Sequence, residues 1–186
     1  KASGGIVIDV DSGRVVCRGL SMPHSPRWYE GRLWVCESGS GTLGTVDLGT
    51  GTYRPVAAMP GFTRGLDFAG PLAFVGLSQV RESAVFSGLP ITDRLKPEER
   101  TCGVCVVDLR TGQTMGFLRF EEGVQEIFAV QELPGVRFPE ILELHDPKLA
   151  NAYVLPDAAL SEVPPEQREP ASDSPVAPSP GALTGA

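Results

Sequence analysis

The sequence predicts an all-β fold, an arc of a β-propeller built from four-stranded antiparallel blades. Three observations carry that expectation. A short signature recurs as VIDVDSG at Val7–Gly13, TVDLGTG at Thr45–Gly51 and VVDLRTG at Val106–Gly112. Each copy is a β-branched run, an Asp, then a Ser-Gly or Thr-Gly turn and a second apolar run, which is a β-hairpin signal. A longer phrase, MPHSPRWYEGRLWV at Met22–Val35, is echoed by MPGFTRGLDFAGPLAFV at Met59–Val75 and more loosely by EEGVQEIFAV at Glu121–Val130. Aligned on their apolar ends, the three phrases place Ser25, Arg64 and Glu126 at one equivalent position. Finally, the 22 glycines and 17 prolines supply the turns that many short strands need.

Asp9 and Asp47 stand 38 residues apart, close to one blade of about 40–45 residues. Asp47 and Asp108 stand 61 apart, which reads as the same unit with an insertion. Lettering strands A to D from the inside of a blade outward, 5–10 and 14–19 are C and D of an incomplete first blade. The second blade takes 27–29, 32–37, 43–47 and 52–58. The third takes 65–68, 72–77, 103–108 and 114–119. Strands at 126–133 and 140–145 then read as A and B of a fourth, and the propeller part ends at residue 146.

Closed on itself, that arrangement would make three blades, below the usual minimum of four. The chain also begins at Lys1 without a methionine. It therefore reads as an N-terminally truncated fragment or a processed product, or else as a chain completed by another, which would make it an oligomer.

The insertion, residues 78–102, lies between strands B and C of the third blade. A long loop in a compact domain is commonly a functional lid. Val85, Phe86, Leu89 and Ile91 are too apolar for a solvated excursion, so an ordered loop with one or two helical turns in TDRLKPEER is expected. From 147 to 186 a short helical stub gives way to a Pro-, Ala- and Ser-rich tail that cannot bury enough apolar surface to order.

Charge narrows the function. A formal net charge of −7 argues against nucleic acid, which needs clustered Lys and Arg. No apolar run approaches the roughly 20 residues of a spanning helix, so no membrane partner is expected. Cys17 and Cys36 lie in strand-like runs, and Cys102 and Cys105 open a strand where side chains three apart take opposite faces. All four read as structural thiols, which implies a cytoplasmic protein. With two histidines and one asparagine there is no complete metal set, and no cofactor is expected. Gly39–Gly44 reads GSGTLG, but a strand follows it where a dinucleotide site needs a helix N-terminus.

In a propeller the D-to-A and B-to-C connections emerge together around the channel mouth, and the Asp-Gly hairpins lie at the other end. That geometry gathers His24, Ser25 and Arg27, the Ser38–Gly41 loop, Arg64, the loop residues Arg81 and Glu82, and Glu126. Convergent polar groups in a concavity are a binding site by default. The bland alternative makes Arg64 and Glu126 a structural ion pair between blades and Arg27 a solvated edge residue. His24, between prolines on a restricted backbone, suits a positioned acid or base, and equally a histidine bonded to a neighbouring carbonyl.

The phrases MPHSPRWYEGRLWV, GTLGTVDLGTG, PGFTRGLDFAGPLAFVGLS and FSGLP together resemble a bacterial family of conserved hypothetical proteins known as a domain of unknown function. The likeness covers most of Val7–Gly135. It implies a propeller-like fold and marks His24, Arg27, Trp28, Arg64 and Arg81 as family-motif positions, and it implies no reaction. Calcium-dependent propeller lactonases resemble the repeat too, but their metal needs carboxylate and asparagine ligands that this chain does not supply.

The leading expectation is thus a non-enzymatic module that binds an anionic small molecule or acidic peptide at the channel mouth. The alternative is a hydrolase or lyase in which His24 acts as general acid or base, Arg64 stabilises an oxyanion and Glu126 is a further catalytic candidate.

Overall fold

The computed structural model describes residues 2–79, 88–137, 139–143, 145–148, 158 and 161–165. The chain divides into two compact units, Lys1–Gly135 and Val136–Ala186.

The first unit is mostly β and antiparallel. Strands β1 (Gly5–Ile8) and β2 (Val15–Leu20) form a two-stranded sheet. Strands β3 (Pro23–Tyr29), β4 (Arg32–Glu37), β5 (Thr42–Val46) and β6 (Tyr53–Ala58) form a four-stranded meander. A second meander has β7 (Phe62–Ala69), β8 (Leu72–Ser78), β9 (Cys102–Asp108) and β10 (Thr114–Phe120). None of these sheets closes on itself.

The three hairpin signatures fold alike, because each Asp satisfies its own turn. Asp9 accepts from the Ser12 amide at 2.8 Å, Asp47 from Gly49 and Thr50, and Asp108 from Arg110. Gly13, Gly51 and Gly112 then take φ of 66°, 68° and 72°, which a side chain would resist. Arg110 adds two side-chain hydrogen bonds to Asp108, holding that carboxyl down to about 2.

The sheets are layered. Trp34, Cys36, Leu43, Ala57 and Met59 from the first meander meet Leu66, Phe68, Val75, Leu77 and Val107 of the second in one core. On the other face of the first meander, Val35 and Val46 pack against Cys17 and Leu20 of the β1–β2 hairpin. All four cysteines are buried free thiols, as their places in the strands require. Burial pushes Cys36 up to about 12 and Cys105 up to about 11, so both stay protonated and inert.

Two of the expected strands are longer than the sequence indicated. The strand expected at 27–29 runs from Pro23, and the one expected at 65–68 runs from Phe62 to Ala69. Pro23 and Pro26 fall inside the longer β3. They are accommodated because β3 lies at the edge of its sheet and bulges between His24 and Arg27.

Two other expected strands do not form. Described residues 126–133 and 140–143 have no strand pairing. The stretch after Gln125 is strapped across the second meander by side-chain bonds instead. Ser78 Oγ accepts from Ile127 N at 3.0 Å, and Asp67 accepts from Glu132 N at 2.7 Å.

The insertion between β8 and β9 is ordered where it is described. It holds α1 (Pro90–Arg94), which begins before TDRLKPEER, and a 3-10 turn at Pro97–Glu99. Leu89 and Ile91 bury against Phe62. Val85 and Phe86 lie outside the described residues, as does most of the Pro-rich tail.

In the second unit Lys148 is ion-paired with Glu140, and Lys148 N donates to Asp146. No helix among the described residues is long and apolar enough to cross a membrane.

Candidate functional site

The site is built on two matching deformations. Strand β3 slips register between His24 and Arg27, and β7 slips between Thr63 and Leu66. Each β-bulge carries one extra residue, with Ser25–Pro26 opposite Val35 in one and Arg64–Gly65 opposite Gly76 in the other. A bulge bends a strand and re-aims its side chains, and bulges recur beside binding sites. Here the two bulges meet, since Ser25 Oγ accepts from the Gly65 amide at 2.9 Å across 40 residues of sequence.

His24 sits opposite Cys36, whose side chain lies in the core between the meanders. A cross-strand partner shares its face, so His24 looks toward β7. The imidazole is half-buried, and its pKa is lowered first by that burial and then by the Arg64 guanidinium. Met22 and Ser25, on either side of it, hold φ of 50° and 51°. A left-handed backbone costs a side-chain-bearing residue about 1–2 kcal/mol. Strained residues of this kind cluster at functional sites.

Arg64 lies with its guanidinium carbon 4.2 Å from the centre of the Phe128 ring. Phe128 belongs to the strap, which approaches closely because Gly65 and Gly76 leave room for it. A Cβ on Gly65 would come within 2.8 Å of the Ala129 and Val130 backbone, and one on Gly76 within 2.7 Å of Ile127. Arg64 is not ion-paired with Glu126. The exposed Glu126 carboxylate instead acts on Cys102, adding to the burial that raises that thiol.

The remaining candidates separate. Ser38 is buried in a 3-10 turn and donates its amide to Met22 O at 3.1 Å, a structural place at the same end of the sheet. Arg27 is exposed and donates to the neighbouring Pro26 carbonyl. Trp28 stands four residues along β3 from His24, about 13 Å at strand rise. It lines an open concavity of about 690 Å³ with Arg32, Leu48 and Arg54, beside the Asp47 hairpin turn. It therefore belongs to the other end of the sheet. Arg81 and Glu82 lie outside the described residues.

Sequence reasoning missed Arg94. Its Nη2 donates to Ser40 O at 3.0 Å and Met59 O at 2.8 Å. Met59 N donates to Gly41 O, and Thr101 N to Pro60 O. The β4–β5 turn, the β6–β7 connection and the insertion are thus stitched together at the His24 end. Arg100, beside them, is 6% exposed, donates to Leu95 O and leaves Nε without a partner. No local pattern marks either arginine, because both act on carbonyls distant in sequence.

Among known proteins, the family described as "Domain of unknown function (DUF4915)" matches residues 1–142, and the chain belongs to it. No curated protein matches. A solved structure titled "Crystal structure of the computationally designed Ika8 protein: crystal packing No.1 in P63" matches at 16% identity with a TM-score of 0.40. That match covers 69% of this chain, and the chain spans 34% of that one.

Proposed function

For this member of the DUF4915 family we propose a β-propeller-like binding module whose ligand-binding end is the one that carries His24, Ser25 and Arg64. The ligand is an anionic small molecule bearing a carboxylate or phosphate. The observation that carries the reading is the pair of facing bulges, which hold a half-buried imidazole beside a guanidinium on a strained backbone. Arg presents a planar fork of donors suited to carboxylate or phosphate. Burial and Arg64 favour neutral His24, and an arriving anion reverses the local balance. Ligand binding therefore takes up a proton, and affinity rises as pH falls toward the ordinary histidine range.

Calorimetric titration with citrate and with inorganic phosphate tests this. Arg64→Ala should weaken binding by about 10–100-fold, the loss of one charge-assisted hydrogen bond. His24→Ala should abolish the dependence of the heat on buffer ionisation. Equal affinities in wild type and Arg64→Ala would refute the reading. An acidic peptide presents the same carboxylates and forms a third arm of the titration.

A neutral histidine near a cation also favours a second reading, a hydrolase or lyase with His24 as general base and Arg64 stabilising an oxyanion. There His24→Ala would abolish turnover with the fold intact. A binding module would lose affinity only.

A further inference from the structure

The strap across the second meander carries one side chain whose place its packing does not explain. Ile127 and Val130 are half-buried over Gly76, where a Cβ would come within 2.7 Å and 3.1 Å of their side chains. Phe128, between them, is 62% exposed. So little of its ring leaves water that apolar burial cannot be what fixes it. Among the described residues the ring meets one charged group, Arg64, whose guanidinium carbon stands 4.2 Å from the ring centre.

The backbone that carries the ring is held on both sides. Gln79 N donates to Gln125 O at 2.8 Å. Ser78 Oγ accepts from Ile127 N at 3.0 Å and donates to Ile127 O at 3.2 Å. Asp67 accepts from Glu132 N at 2.7 Å, and the Ala129–Val130 backbone lies against Gly65. Phe128 is therefore presented from a fixed point.

Arg64 is the opposite case. Its guanidinium rides on a long, flexible stem, and among the described residues it makes no ion pair and no hydrogen bond. Its charge still acts on His24, so the group stays beside the imidazole. A guanidinium over an aromatic ring is attracted by the negative face of the ring. That contact occupies none of its five N–H donors, which stay free for a ligand.

We propose that Phe128 is a positioning residue for the anion site: its ring holds the Arg64 guanidinium beside His24 before the ligand arrives. A carboxylate or phosphate then meets donors already in place, and binding does not have to order the side chain first. The inference rests on the binding reading and deepens it, since it makes the strap part of the site.

Phe128→Leu keeps the apolar bulk and removes the ring, whereas Phe128→Tyr keeps both, and neither should move the urea midpoint. Without any ligand, the Arg64 Nε–H proton of wild type and of Phe128→Tyr should show an upfield ring-current shift in NMR spectra. In Phe128→Leu it should return to the position of a free arginine. In calorimetry with citrate, Phe128→Leu should bind about 2–5-fold more weakly, the worth of an exposed cation–π contact. Phe128→Tyr should match wild type. In an Arg64→Ala background, Phe128→Leu should change nothing further, because the two residues act as one unit.

Citrate affinity unchanged by Phe128→Leu overturns the proposal. So does an equal loss with and without Arg64, which would make the ring a direct ligand contact or a structural prop. An Arg64 signal at the free-arginine position in wild type overturns it too. A wild type that binds neither citrate nor phosphate refutes the binding reading itself. The ligand-free Nε–H shift keeps that result apart from a missing Phe128–Arg64 contact.

Discussion

The bulge in β3 and the bulge in β7 make the same register slip with different chemistry. In β7 the left-handed residue is Gly65, at φ 83°, where the absence of a Cβ removes the steric cost. In β3 it is Ser25, at φ 51°, followed by a proline that can donate no hydrogen bond. The relaxed bulge is packed, with the strap lying against its backbone. The strained one is partly open and carries the histidine. A strand can therefore be bent cheaply where only packing is needed. Where a side chain must be aimed, the bend is held by a long-range bond from a residue that resists it.

The largest effect should come from filling the packed bulge. Gly65→Ala adds left-handed strain and drives a Cβ into the Ala129–Val130 backbone, which cannot yield as a flexible side chain would. A loss of about 2–4 kcal/mol is expected from strain and overpacking together. It would be read as a lower urea midpoint at unchanged slope. A change under about 0.5 kcal/mol would show that the strap does not press on β7.

Substitution at Ser25 sharpens the contrast. Ser25→Ala keeps the strain and leaves the Gly65 amide without its acceptor, costing about 1–3 kcal/mol. Ser25→Gly loses the same bond and relieves the strain, so it should be the milder change by about 1 kcal/mol. Equal unfolding midpoints for the two variants would mean that the φ of Ser25 carries no strain.

The smallest effect is the pH dependence of stability. The folded state holds the pKa of His24 below its ordinary 6.5, so the unfolded chain binds the proton more readily. The contribution of His24 is full above about pH 6.5. It falls as pH drops through the folded value and is gone below that. His24→Gln should flatten this part of the stability profile, and Arg64→Ala should shrink it. The imidazole is only partly buried, so solvent screening keeps the effect small.

The strands in the two meanders were legible because alternation and turn residues are local. The three Asp-Gly hairpins fold as their spelling implies. The stretch 126–133 misled for the same reason, since alternation reports amphipathicity and says nothing of whether a neighbouring backbone will pair. Its hydrogen bonds go to the side chains of Ser78 and Asp67. The candidate site was legible as a set of equivalent positions in a repeat. That logic brought Ser25 and Arg64 to one place. Trp28, marked by the family motif, stands four residues along β3 from His24 and beyond the bulge, toward the other end of the sheet.

By itself the sequence determined the β class, the places of the hairpins, the burial of the four cysteines and the residues able to bend β3 and β7. These follow from periodicity, turn chemistry and backbone sterics acting within a few residues. The meeting of Ser25 with Gly65, the cover of Arg64 by Phe128 and the stitching of three connections by Arg94 were decided only by the tertiary structure. Those contacts join residues 35–64 positions apart, and which of them form depends on how one sheet settles on the next as their apolar faces are buried.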